Sequence, residues 1–208
     1  MSDITFYTNP QSRGQIVHWM LEELGVPYDT EWIEYGEQMR SAEYLTVNPM
    51  GKVPAIKHKA KLVTEGAAIC TYLAVSYPEQ GLVPKAGDPS LADFYRWMHF
   101  AAGPLEMATT SQSMGWEVAE EQRRMVGFGS YEKTLSVIEL ALAEGPFICG
   151  EQFTAVDVFL GAVLNWGMLF GTVKKRGLFE EYALRLQARP AAKRAVQLNE
   201  EYMRSTAS

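Results

Sequence analysis

At 208 residues, with 47% hydrophobic and 21% charged side chains, the chain has the balance of a folded protein of one domain or two small ones, which excludes intrinsic disorder. Its formal charge is −6 and acidic side chains outnumber basic ones in both halves, so there is no basic face to hold a nucleic acid. Met1-Ser2-Asp3-Ile4-Thr5 has neither a positive nor an apolar leader region, and no stretch is apolar for long enough to span a bilayer, so a cytoplasmic protein without a membrane partner is expected.

Ile4-Thr5-Phe6-Tyr7 is β-branched and aromatic and is ended by the turn formers Asn9 and Pro10, which predicts a first strand. Ile16, Trp19, Met20 and Leu24 then recur at helical spacing, with Ser12 as an N-cap and Gly25 just past the end. A second strand is predicted over 28–33, followed by a short polar segment holding one or two helical turns. Pro54 opens a short apolar run, Ala55-Ile56, where a proline is tolerated because the first position of a strand needs no ladder donor. X-Pro bonds alone adopt cis at low cost, so Val53-Pro54 is expected to be cis, with the main chain of Val53 facing outward as an edge that an extended peptide can pair with. Residues 54–57 and 62–64 form a hairpin, and a helix is predicted over 67–77, headed by Glu65. Free backbone N–H groups at a helix start make an anion site.

Three prolines and two glycines lie within residues 78–89, and beyond them strand-like alternation disappears. Helical patterns run over 91–100, 131–143, 156–170, 179–187 and 191–203. Thr154-Ala155-Val156-Asp157 has the spacing of a capping box, with Asp157 in place of the usual Glu. The order βαβ-ββα and then helices predicts a thioredoxin-like α+β domain over 1–80, a linker over 81–89, and an all-α helical-bundle domain over 90–208. Cys70 and Cys149 lie far apart and outside any Cys-x-x-Cys pattern, and His18, His58 and His99 have no ligand spacing, so no metal is expected.

Asn48-Pro49-Met50-Gly51-Lys52-Val53-Pro54, with the acidic Glu65 opening a helix, resembles the glutathione site of the cytosolic glutathione transferases, and the resemblance extends over nearly the whole chain. Pro10-Gln11-Ser12 resembles the Pro-Gly-Ser of the serine-type members. The resemblance implies that glutathione is a co-substrate, with no cofactor besides. It assigns Val53, next to Pro54, to main-chain pairing with the cysteinyl unit, Glu65 and Gly66 to the γ-glutamyl end, and Lys52 to the glycine carboxylate. Gly66 departs from the family, where a serine usually follows the acidic residue.

A thiol is a weak nucleophile until deprotonated, so a hydroxyl or a helix N-terminus must hold the thiolate. Ser12 and Tyr7 are the candidates, and Thr8 and Asn9 are also within reach of the turn. Ser12 would alternatively cap its own helix, and Tyr7 would alternatively pack as a strand aromatic. The second substrate is expected to be a small apolar electrophile, conjugated or reduced, held between the domains, and the protein is expected to be a homodimer. The alternative is a non-catalytic glutathione-binding or interaction protein on the same scaffold.

Overall fold

Alternation along Ile4–Thr8 (β1) turns Ile4, Phe6 and Thr8 into the core and leaves Thr5 and Tyr7 half exposed on the other face, as the two-residue period of a strand requires. In the computed structural model, which describes residues 2–206, this strand is followed by Gly14–Leu24 (α1), Asp29–Trp32 (β2), a 3-10 turn at Gln38–Arg40, and Ala42–Val47 (α2). Ala55–His58 (β3), Lys61–Thr64 (β4) and Gly66–Ser76 (α3) complete the pattern. The four strands form one mixed sheet in the order β2-β1-β3-β4, with β1 parallel to β2 and the other neighbours antiparallel. This is the thioredoxin-like arrangement predicted.

One face of the sheet is covered by α1 and α3, whose buried side chains include Ile16, Val17, Met20, Leu21, Ile69 and Leu73. Cys70 lies wholly within this layer, and burial pushes its thiol up to about 12. The other face carries a smaller cluster of Ile33, Met39 and Tyr44, against which Tyr7, Val47 and Val53 pack.

The last helix, Pro190–Thr206, belongs to this sheet-bearing unit although it ends the helical run of the sequence. It packs on α1. The Arg189 guanidinium makes two bonds of 2.6 and 2.7 Å to the largely buried Glu23 carboxylate, and Tyr202 stacks on Trp32 with ring centres 4.0 Å apart. Compact units are therefore residues up to Gln80 with those from Ala188 on, and Gly81–Gln187.

The second unit is helical: Ser90–Phe100 (α4), Glu106–Met114 (α5), Tyr131–Leu142 (α6), Ala155–Phe170 (α7) and Gly177–Gln187 (α8), which leaves Pro190–Thr206 as α9. A π-helical turn at Ala101–Leu105 joins α4 to α5 and contains Pro104. Proline lacks the N–H an α-helical ladder needs, and the wider turn lets the helix continue past it. The sequence patterns omit α5, whose residues are mostly polar or small and carry little helical apolar periodicity. On α4 Met98 is buried and Tyr95 is exposed.

Helix α7 starts with the capping box anticipated at Thr154 and Asp157. The fully buried Asp157 carboxylate accepts from the N–H of Ile148 (2.9 Å), the N–H of Thr154 (2.8 Å) and the Tyr182 hydroxyl (2.7 Å), tying a loop, α7 and α8 together. No described helix is long and apolar enough to cross a membrane.

Candidate functional site

The register brings three separate segments to one end of the sheet. Tyr7 pairs with Ala55 and Ala55 with Thr64, so the turn after β1, the residues before β3 and the residues after β4 share that end. These segments contain Ser12, Val53-Pro54 and Glu65-Gly66.

The turn after β1 is built on Asn9. Its side-chain amide donates to the Ile33 carbonyl (2.9 Å) and its Oδ1 accepts from the Gln11 N–H (2.9 Å), while its own carbonyl accepts from the Ser12 hydroxyl (2.7 Å). Ser12 Oγ in turn accepts from the Gly14 N–H at 2.9 Å. The N-cap of α1 is Arg13, which makes no side-chain cap, rather than Ser12 as the sequence suggests; Ser12, 8% exposed, instead braces the turn one residue earlier, through the Asn9 carbonyl and the Gly14 N–H. Beneath it lies Thr8, fully buried, with no hydrogen-bond partner for Oγ1 among the described residues. A Cβ on residue 14 would stand 1.9 Å from that oxygen, so Gly14 is the residue that lets α1 approach β1.

Tyr7 leaves the sheet on the opposite face from Thr8, its ring tilted against Tyr44 with centres 6.2 Å apart. Burial, then the carboxylates of Glu31 and Glu43, raise its pKa, so it is a neutral donor rather than a base at ordinary pH. Its hydroxyl has no hydrogen bond among the described residues.

Before β3, Val53-Pro54 is cis, as expected. Lys52 is exposed and makes no ion pair among the described residues. Its carbonyl is held from two sides, by the Tyr44 hydroxyl and by the Asn48 side-chain amide, each at 2.7 Å. Asn48 Oδ1 also accepts from the Met50 N–H at 3.0 Å, so Asn48 braces the turn at both ends. The main-chain groups of Val53 make no backbone hydrogen bond among the described residues. Sequence reasoning passed over Tyr44, because an aromatic four residues before the motif carries no signal beyond core packing.

After β4, Glu65 adopts φ 65° and ψ 116°, a left-handed region uncommon for a residue with a Cβ. Its exposed side chain makes no cap to its own helix. Gly66 opens α3, whose first backbone N–H groups have no helical partner. No group of His, Cys, Asp and Glu side chains among the described residues is arranged to hold a metal.

Residues 12–75 match the family profile "Glutathione S-transferase, N-terminal domain" and residues 117–166 match "Glutathione S-transferase, C-terminal domain". The chain is 34% identical over 125 residues to glutathione S-transferase GstA of Escherichia coli O157:H7, covering 60% of this chain and 61% of that protein, less than two thirds of its length. It is 29% identical over 170 residues to glutathione S-transferase A of Pleuronectes platessa, covering 77% of this chain and 74% of that one. Among solved structures, a glutathione transferase of Methylococcus capsulatus superposes with a TM-score of 0.77 at 27% identity, over 95% of this chain and 98% of the other. Sheet, helical unit and matched profiles together show that the chain belongs to the glutathione S-transferase family.

Proposed function

We propose that the protein is a glutathione transferase that binds glutathione at the shared end of the sheet and uses its thiolate against a small apolar electrophile. The observation that carries this reading is the convergence there of the unpaired main chain of Val53, just ahead of β3, and an open helix start at Gly66. An extended tripeptide fits both: its cysteinyl unit pairs with the Val53 main chain, and its γ-glutamyl carboxylate meets the N–H groups heading α3. Glu65 takes the ammonium group of that end, and Lys52 takes the glycine carboxylate. Pro54 sets the direction in which the edge leaves the sheet.

The glutathione S–H releases its proton to solvent, and the thiolate attacks carbon or peroxide oxygen of the second substrate as the leaving group departs. Ser12 is the proposed donor to the thiolate, helped by the positive end of α1. Its hydroxyl would turn from the Asn9 carbonyl to sulfur. A specific observation favours Tyr7 as the alternative donor: its hydroxyl is unengaged and lies on the face against which Val53 packs.

Two copies are proposed to associate through α3 of one against α4 of the other, which would cover the exposed Val75 and Tyr95. Two free cysteines suit a reducing, cytoplasmic compartment. Retention on immobilised glutathione, followed by assays with an aryl halide and an organic peroxide, tests the function. Retention with turnover is the expected result, retention without turnover would make the protein a glutathione-binding protein only, and failure of both would refute the reading.

A further inference from the structure

Lys52 and Val53 share one peptide group, and the carbonyl of that group is the most strongly held in the turn. A trans peptide is planar, with its C=O and N–H pointing in opposite directions. Anchoring the Lys52 oxygen on the Tyr44 hydroxyl and the Asn48 amide therefore fixes the direction of the Val53 N–H, away from both anchors and without a backbone partner among the described residues. Two donors on the oxygen also polarise the group and strengthen its N–H as a donor.

We propose that Tyr44 is a positioning residue for glutathione, holding the carbonyl of Lys52 so that the N–H of the same peptide group is aimed at the cysteinyl carbonyl of the bound tripeptide. The inference rests on the glutathione reading of the Val53 edge. In an antiparallel hydrogen-bonded pair two residues exchange both main-chain bonds, so the Val53 N–H serves the cysteinyl carbonyl and the Val53 carbonyl serves the cysteinyl N–H. Tyr44 is suited to this work because the residue is 3% exposed and set among Ile33 and Met39, with Tyr7 and Val53 against it. Burial, with the neighbouring Tyr7 second, pushes its phenol up to about 12, so the hydroxyl remains a donor throughout the neutral range.

The test uses Tyr44→Phe, which keeps the ring and its packing. Calorimetry is run with glutathione and with the analogue whose cysteinyl–glycine amide is replaced by an ester, a weaker carbonyl acceptor. The parent should bind glutathione and prefer it to the ester. In Tyr44→Phe the Kd for glutathione should rise about fivefold, the effect of one neutral hydrogen bond. Its preference for amide over ester should shrink, while kcat at saturating glutathione stays near the parent's. Asn48→Asp keeps the acceptor for Met50 and loses the donor to Lys52, and should weaken binding in the same sense if Tyr44→Phe folds poorly. Unchanged affinity in both variants overturns the inference, as does weaker binding with an undiminished amide preference, which would make Tyr44 only a packing residue. A parent that does not bind glutathione overturns the glutathione reading and this inference with it.

Discussion

Replacing Ser12 by alanine separates the structural bonds of its hydroxyl from the role proposed for it at sulfur. In the structure Ser12 Oγ donates to the Asn9 carbonyl at 2.7 Å and accepts from the Gly14 N–H at 2.9 Å, in a site where the residue is 8% exposed. Losing these two neutral hydrogen bonds costs about 1–2 kcal/mol, which for a chain of this size lowers Tm by roughly 2–8 °C. To serve a thiolate the hydroxyl must give up the Asn9 carbonyl, a neutral bond worth about 1 kcal/mol, for a charge-assisted one worth about 1.5–3 kcal/mol. The net gain of about 0.5–2 kcal/mol corresponds to roughly 0.4–1.5 pKa units on the bound thiol, at 1.36 kcal/mol per unit. Ser12→Ala should therefore raise the pKa of enzyme-bound glutathione by about one unit and lower turnover at neutral pH. Affinity for the protonated ligand should change little, because the lost bond favours the charged form. The assay is ultraviolet titration of bound thiolate in Ser12→Ala and Tyr7→Phe against the parent. A shift in Tyr7→Phe with none in Ser12→Ala refutes the assignment and leaves Ser12 as a brace of the turn only. No shift in either means that backbone N–H groups, Thr8 or Asn9 hold the sulfur.

Gly14→Ala should destabilise the chain by about 1–3 kcal/mol in urea unfolding, because its Cβ would meet Thr8 Oγ1, and Thr8→Ala in the same chain should recover part of the loss. Asp157→Asn should cost roughly 2–4 kcal/mol in the same assay, since an amide presents its own donor to N–H groups that now find a carboxylate oxygen. Burial lowers the pKa of His18, whose surroundings include Glu22, Tyr28, Asn199 and Arg194. The unfolded chain, with its histidine near 6.5, then binds more protons than the folded one as pH falls below that value. Stability should accordingly decline from about pH 6.5 toward the depressed folded value, by at most about 1.36 kcal/mol per pH unit from this group, and His18→Gln should flatten that part of the profile.

Local chemistry made much of the fold legible. The two-residue alternation of β1, the cap at Thr154, the hairpin at 55–64 and the proline before β3 are each decided by neighbours in the chain, and the structure has all four. Features set by distant partners were not legible. The placement of α9 on α1 depends on Glu23 meeting Arg189 and Trp32 meeting Tyr202, residues more than 160 apart in the sequence. Helix α5 was not legible because Glu106–Met114 lacks a clear apolar stripe, and the π-helical turn that leads into it past Pro104 has no sequence signature of its own. At the site, the motif identified which residues gather but not where their hydroxyls point. The bonds from Ser12 to the Asn9 carbonyl and from Tyr44 to the Lys52 carbonyl are choices of rotamer made by the folded surroundings.

The proposed site makes its most direct claim about ligand shape: one extended tripeptide, held at both the Val53 edge and the head of α3. Calorimetric titration of the parent with glutathione, and with cysteinylglycine, which lacks the γ-glutamyl end, tests that claim in a single measurement. Saturable binding of one glutathione per chain, with binding of the dipeptide lost or greatly weakened, is the result predicted. Absence of saturable glutathione binding, or equal affinity for the two peptides, would contradict it.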